Sequence, residues 1–487
     1  MPYDPITEAE SRRRQPSLER VLGLWSAVSI VIGTVIGSGV FLVPSSMIRS
    51  VGSVRTLFVV WIVAGVLSLF GALTYAELAA AMPEAGGEYV YLSAAYGPFW
   101  GYLYGWTQFW VAKSGSIATL AAGFYTYLTI FFPVLGAPLL VSPWHIGPGG
   151  TLLEIHYGQL IAIGLIMGLA GVNYVGVRAG GNVQIIVTVV KMSLLAAVVL
   201  FGILAGKGDW SHFTLGHVPA AAGISGFFAA MVSALWAYDG WNNVSMVSSE
   251  IRQPQRNLPR ALIFGTLTVI ATYILINAAY FYVLNPSQVA ASHRVAADMM
   301  GTIGGRPAVA CVTIAVLISI LAALNGSILT GARVPYAMAR DGLFFRTAAV
   351  VHPRFRTPGH AMVLLCLWSS VVVLSGWFDD LYNFVIFGSW ILYLMTALSV
   401  VVLRLKQPNL PRPYRVLGYP LVPVLFVLVA VILLGSTLAS RPRESLMGLG
   451  MMGLGIPFYY FWKGIQYQSF SKKQAGISPA SERTRKY

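Results

Sequence analysis

From Val21 to Ile48 the chain runs for 28 residues without a charged side chain, and a membrane-spanning helix needs only about 20 apolar residues. Further apolar segments follow at short intervals. The full set lies near 22–48, 55–80, 98–131, 158–176, 183–205, 223–248, 261–284, 308–331, 360–376, 381–403, 419–439 and 445–462. Only helices and closed barrels can cross lipid, because every backbone N–H and C=O must find a partner within the protein. A barrel would need many short alternating strands, which these runs do not show, so the segments read as helices. The composition agrees: 56% of residues are hydrophobic and 10% charged, against about 45–50% and roughly 25% in soluble domains. An all-α polytopic membrane protein with twelve transmembrane helices is expected. An ordinary soluble enzyme, a disordered chain and a coiled coil are excluded.

The formal net charge of +15 could suggest a nucleic-acid partner, but its distribution gives a simpler explanation. With a cytoplasmic N-terminus, 23 Lys and Arg fall on the inner side and 7 on the outer, with Lys113 and Lys191 inside spans. That asymmetry is the positive-inside pattern. It places both termini in the cytoplasm, with no role for nucleic acid; the plasma (inner) membrane is the expected location. The head carrying Arg12, Arg13 and Arg14 precedes a run too long for a cleaved signal, so the first span is retained. The two cysteines, Cys311 and Cys366, lie in apolar runs, which argues against a disulfide framework or a cysteine metal site. His145 and His156 sit eleven apart in an outer loop and do not make a metal site. No cofactor is expected.

Two interruptions stand out. Span one contains Gly33, Gly37 and Gly39 within seven residues, around Ser38; each glycine weakens a helix by roughly 1 kcal/mol relative to alanine. Span six carries Asp239-Gly240 in its middle. Taken singly, the glycines could serve helix packing and Asp239 a buried polar contact. Taken together, they open two successive sets of five spans, and matched breaks in two halves point to an inverted-repeat transporter. The freed amides of a half-helix N-terminus attract an anion, and the carbonyls of a facing C-terminus attract a cation. A ligand with one carboxylate and one ammonium, an amino acid, satisfies both.

The motifs carry a resemblance as well. Ile36-Gly37-Ser38-Gly39-Val40-Phe41, Tyr75-Ala76-Glu77-Leu78 with Pro83 to Tyr89, Glu250 to Arg260, and Leu410 to Arg415 with Gly418-Tyr419-Pro420 occur in that order. With them the chain resembles the amino acid–polyamine–organocation superfamily, in its L-type amino-acid transporter branch, from about Leu18 to Trp462. The resemblance implies five plus five inverted helices with spans one and six broken, then two peripheral helices. The expected division is a cytoplasmic segment at 1–20, repeats at 21–206 and 222–404, the last helices at 419–463 and a cytoplasmic tail at 464–487.

It also implies site roles. Amides around Ser38, Gly39 and Val40, beside Ile36 and Gly37, would hold the substrate carboxylate, and carbonyls of Val35, Trp236 and Asp239 the ammonium. The Trp236 ring would close over the substrate, and Tyr238, Gly240, Trp241, Asn242 and Trp390 would line the remaining pocket. Lys191, about eight residues or roughly 12 Å into span five, would bridge spans one and eight, with polar contacts to Asn325 and Ser327. Its ammonium would stand where sodium-coupled relatives hold Na⁺, which favours sodium-independent transport.

A charge at the bilayer centre costs at least ~2.5 kcal/mol, so Lys113 and Asp239 need reasons too. A pair between them is possible by depth, and an Asp239 facing the pocket would favour cationic substrates. Animal members of the branch join a glycoprotein through a cysteine between helices three and four; residues 132–157 have none, so no disulfide-linked partner is expected. The leading expectation is sodium-independent exchange of neutral L-amino acids by alternating access. Proton-coupled symport and cationic amino-acid or polyamine transport are the alternatives, with a non-transporting sensor and a membrane enzyme ranked lower.

Overall fold

The computed structural model describes residues 17–142, 153–214, 218–219, 223–376, 378–440 and 442–474. Residues 1–16 with Arg12 to Arg14, the loop segment 143–152 with His145, and the tail from 475 lie outside them. Helices occupy every apolar segment read from the sequence. The first is two helices, α1 (Leu24–Val35) and α2 (Gly39–Val51), bent by 43°. Then come α3 (Val54–Ala81), the short α4 (Glu88–Tyr96), and a span made of α5 (Pro98–Thr107), a π-turn (Gln108–Ala112) and α6 (Lys113–Leu128). A two-stranded antiparallel ribbon, β1 (Pro138–Val141) with β2 (Glu154–His156), pairs Pro138 with His156 and Val141 with Glu154. After it follow α7 (Tyr157–Val175), α8 (Val177–Leu204) and α9 (Ile224–Ala237), the last continued by a 3₁₀ segment (Trp241–Glu250).

The remaining elements are α10 (Pro254–Val283), α11 (Pro286–Ala291), α12 (Val295–Gly331), α13 (Arg333–Arg340), α14 (Gly359–Ser375), α15 (Phe378–Lys406), α16 (Leu421–Ser440), α17 (Pro442–Gly453) and α18 (Gly455–Gln474). Among the described residues, seven helices are long and apolar enough to cross a membrane, and α1 with α2 makes an eighth. The chain is a polytopic helical membrane protein.

Burial sorts these helices into centre and rim. About half of the most apolar stretch of α3 and of the α12 region is buried, against 22% in α16, which lies at the rim. The broken helices sit in the middle: α2 packs on α9, α1 on α8 and α10, and α12 along α8 and α6.

Carboxylates from the sequence motifs tie one end of the bundle. Glu250, at the end of the 3₁₀ segment, takes Arg333 of α13 in a bidentate pair at 2.7 and 2.8 Å, with both side chains fully buried. Glu77 on α3 binds Arg404 of α15, Arg412 at 3.4 Å and the backbone N–H of Val416 at 2.8 Å. Two motifs far apart in sequence therefore meet at one carboxylate. Glu88 opens α4, fully buried, and accepts from Tyr104 at 2.9 Å and from Asn242.

Candidate substrate site between two broken helices

The helical path of α1 is lost at Ile36 (φ −78°, ψ 86°), and Gly37 and Ser38 form the bend before α2 resumes. In the facing helix, Tyr238-Asp239-Gly240 make the turn, with Gly240 at φ +108°. That left-handed geometry is open to glycine at little steric cost, and a Cβ there would also stand 3.2 Å from the Thr34 carbonyl oxygen. The second close approach is at Gly39, where a Cβ would lie 3.0 Å from Cα of Ala237. The two breaks therefore lie side by side, and glycine at both is what lets the backbones meet.

Hydroxyl groups fasten the breaks to each other. Thr34 Oγ1 donates to the Gly240 carbonyl at 2.9 Å. The Tyr273 hydroxyl of α10 lies 3.1 Å from the Val35 carbonyl and 2.7 Å from that of Ala237, so its one proton serves both broken ends. Carbonyls released at the end of α1 would otherwise lack helical donors. Lys191 supplies them: its Nζ donates to Ile36 at 2.7 Å and Gly33 at 3.1 Å, with Ile32 at the 3.5 Å limit. Its side chain is fully buried, and a cation at a helix C-terminus is held by the negative end of the helix dipole. Ser319 of α12 adds bonds to the carbonyls of Ile36 at 3.0 Å and Gly37 at 3.2 Å.

Between the breaks lies a cavity of about 120 Å³. One wall is Val35, Gly37, Ser38 and Gly39, and the opposite wall is Trp236, Ala237, Asp239 and Gly240. Ser38 and Gly39 open the first turn of α2, whose N–H groups have no intrahelical acceptor. The cavity thus has an amide end and a carbonyl end within one small volume. A ring carbon of Trp236 comes within 3.8 Å of a Cβ built at Gly39, so the indole lies over the bend.

Two charged side chains share this cavity. Lys113, the first residue of α6, donates to Asn243 Oδ1 at 2.7 Å and is 7% exposed. Asp239 opens into the cavity, and its Oδ1 accepts from the Tyr393 hydroxyl at 3.0 Å. Gln108, Ser116, Thr119, Ser327 and Ser389 add neutral polar groups, and Trp390 an aromatic wall.

The structure gathers some of the expected site residues and sends others elsewhere. Val35, Gly37, Ser38, Gly39, Trp236, Asp239, Gly240, Trp390 and Ser327 line the cavity. Ile36 contributes its carbonyl to Lys191 and Ser319, and Val40 is fully buried behind the bend. Tyr238 turns outward to Trp61, whose carbonyl it reaches at 3.3 Å. Trp241 sits edge-on against Tyr75 at 4.8 Å, and Asn242 is bound to Glu88. These three, expected to line the pocket, are not among the cavity-lining residues; for Trp241 and Asn242 the reason is the pitch of the segment, while Tyr238 stands before it, at the end of α9. A 3₁₀ helix has three residues per turn, so residues i and i+3 share a face; Gly240 and Asn243 face the cavity, while Trp241 and Asn242 do not.

Asn325 is also displaced from its expected role. It bonds Gln184 at 2.7 Å and receives a bond from Asn173 at 2.8 Å, in a polar chain linking α7, α8 and α12. Lys191 and span eight instead meet at the Ile36 carbonyl, through Ser319. Six residues, about 9 Å of helix rise, separate Ser319 from Asn325, which puts Asn325 at another level. Lys113, Asn243, Ser319, Tyr273 and Tyr393 are the site residues that sequence reasoning did not assign. Only Lys113 carried a signal, its charge within a span.

Residues 22–454 match the family described as amino acid permease. The human b(0,+)-type amino acid transporter 1 is 32% identical over 452 residues, covering 92% of this chain and 88% of the relative. The Bacillus subtilis (strain 168) serine/threonine exchanger SteT is 34% identical over 454 residues, 92% and 97% of the two chains. The human large neutral amino acids transporter small subunit 2 is 32% identical over 476 residues, 96% and 84%. The chain belongs to the amino acid permease family.

Proposed function

We propose that this permease exchanges neutral L-amino acids across the plasma membrane, without sodium, by alternating access. The observation that carries the reading is the cavity between the two breaks, lined by Ser38 and Gly39 at the amide start of α2 and by Val35 and Trp236 at the carbonyl ends of α1 and α9. The substrate carboxylate goes to the first and its ammonium to the second. Lys113 and Asp239 bring one cation and one anion to the same cavity, so the site asks for no net charge from the ligand. A relative named as a serine/threonine exchanger and two named for amino-acid transport support both the mode and the ligand class. Lys191 at the α1 carbonyls supplies the positive charge that a bound sodium ion would bring, which supports sodium independence.

The same reading takes the chain as twelve spans in a five-plus-five inverted repeat, at 21–206 and 222–404, followed by helices within 419–463. Both termini are taken as cytoplasmic, which the Lys/Arg asymmetry supports. It takes the protein as a transporter rather than an enzyme, working without a disulfide-linked partner, since Cys311 and Cys366 lie within α12 and α14. Substrate-coupled movement would carry α1 to α3 with α9 and α10 against the rest. Asp239 facing the cavity favours a second reading, in which cationic amino acids are also carried.

Purified protein in liposomes tests this. Labelled alanine, serine and leucine uptake is measured in sodium-free buffer, with and without internal unlabelled amino acid, at equal and unequal pH. Uptake that needs internal amino acid and ignores both gradients is expected. Uptake into empty liposomes driven by an acidic exterior would overturn exchange in favour of proton symport, and arginine in place of all three would establish the cationic reading.

A further inference from the structure

A second concavity, larger than the substrate cavity, opens on the lipid-facing side of the π-turn. It is a groove of about 1110 Å³ between the α5–α6 span, α14 and the α17–α18 pair. Its walls are almost wholly apolar and rich in fixed aromatic rings: Trp106 stacks on Phe458 at 4.8 Å, and Trp110 meets Trp368 edge-on at 5.0 Å. Phe345, Val371, Phe458 and Phe461 are each about half exposed within it.

The charge around this groove is one-sided. At the end formed by Phe344, Phe345 and Trp462, the neighbouring residues Arg346 and Lys463 are exposed, as is Arg340, the last residue of α13, four positions before Phe344. The acid at that end, Asp341, is turned onto the Tyr89 hydroxyl at 2.7 Å. In the orientation proposed above this is the cytoplasmic end. An apolar trough with three cations at this mouth, and Arg443 exposed one turn before Met447 at the other, fits an amphipathic molecule with an anionic head and acyl tails. A second copy of the chain fits poorly, because its own arginines would meet these.

The groove also shares a wall with the substrate cavity. The π-turn presents Trp110 and Val111 to the groove, and Gln108 and Ala112, with Lys113 following, to the cavity. A π-turn shifts the helical hydrogen-bond ladder by one residue, and here side chains take up its carbonyls. The Trp368 indole N–H donates to the Trp110 carbonyl at 2.9 Å, and Ser114 donates to that of Phe109. Trp368 is therefore both a wall of the groove and the clamp on the turn that places Lys113.

We propose that this groove is a binding site for an anionic phospholipid, whose tails pack on Trp110 and Trp368 and thereby hold the π-turn and Lys113 in the cavity-facing position. Purified, delipidated protein titrated with phosphatidylglycerol and with phosphatidylcholine of the same chains, read by native mass spectrometry, tests it. One phosphatidylglycerol is expected to be retained in preference to phosphatidylcholine. Arg346→Gln with Lys463→Gln is expected to weaken it by about 30-fold, from roughly a fivefold loss per cation at a membrane surface. Val371→Trp, which fills the trough, is expected to remove the adduct while leaving the charges in place. Equal affinity for the two lipids, undiminished binding in the double variant, or a protein dimer in place of a lipid adduct would overturn the assignment. This binding arm stands whether or not the chain exchanges amino acids. In liposomes, added phosphatidylglycerol is expected to raise the exchange rate several-fold in the wild type and not in the double variant; bound lipid with no change in rate would overturn the link to the π-turn.

Discussion

Replacing Lys191 with methionine keeps most of the side-chain volume and removes the ammonium, so it isolates the hydrogen bonds from the packing. Two bonds of good length are lost, to Ile36 at 2.7 Å and Gly33 at 3.1 Å. They are not equal losses. The Ile36 carbonyl keeps its bond from Ser319 at 3.0 Å, whereas the Gly37 N–H, which would serve Gly33 in an unbroken helix, is taken by the Val35 carbonyl at 2.9 Å. One carbonyl is therefore abandoned in a fully buried place. A bond to a charged donor contributes about 1.5–3 kcal/mol, and a stranded acceptor costs a similar amount. Expressed wholly in the activation barrier of the transport cycle, that is roughly a 10- to 150-fold loss of rate.

The assay is exchange in liposomes, with maximal rate and half-saturating concentration measured separately. Lys191→Met is expected to lower the rate by one to two orders of magnitude and to change half-saturation by less than about threefold, because Lys191 holds the bend and does not line the cavity. An equal loss in both would refute this and make Lys191 a direct substrate contact. A wild-type rate would show that the α1 carbonyls need no cation.

Other expectations follow from the same geometry. Gly39→Val puts branched carbon atoms where even a Cβ is 3.0 Å from Ala237; exchange should fall at least about tenfold from overpacking alone, and wild-type uptake would remove the site from this bend. Trp236→Ala opens the cover over Gly39 and should impair uptake, so an unchanged rate would count against its gating role. Lys113→Met and Asp239→Asn each leave the other charge alone in the cavity, so the double variant should exchange faster than either single one; losses that simply add would show that the two charges do not communicate. Glu250→Gln strands a fully buried Arg333, which should cost about 3–5 kcal/mol and appear as a large drop in thermal stability. A variant as stable as the wild type would show the pair to be dispensable.

Much of this architecture was legible because glycine and charge interrupt otherwise uniform apolar runs. Gly37, Gly39 and Gly240 marked the breaks that the structure places side by side, and the charge of Lys191 within a span singled it out, although its contacts are the α1 carbonyls rather than Asn325 and Ser327. What stayed hidden depends on helix rotation and pitch, which a nearly all-apolar sequence does not encode by periodicity. Tyr273, Ser319 and Tyr393 look like any other residues of their spans, and become site residues only because α10, α12 and α15 turn those faces inward. The 3₁₀ pitch after Gly240 sent Trp241 and Asn242 away from the cavity and brought Asn243 in. The π-turn in span three, which sets the direction of Lys113, left no mark in the sequence.

The central claim is that an amino acid occupies the space between the two breaks. Ser116 lines that cavity and is half-buried, whereas Val350 lies on an exposed loop. With Cys311 and Cys366 replaced by alanine, Ser116→Cys and Val350→Cys can each be labelled with a small hydrophilic thiol reagent, with and without saturating transported amino acid. The account predicts that the amino acid slows labelling at position 116 severalfold and leaves position 350 unchanged. Equal labelling rates at position 116 with and without the amino acid would contradict it.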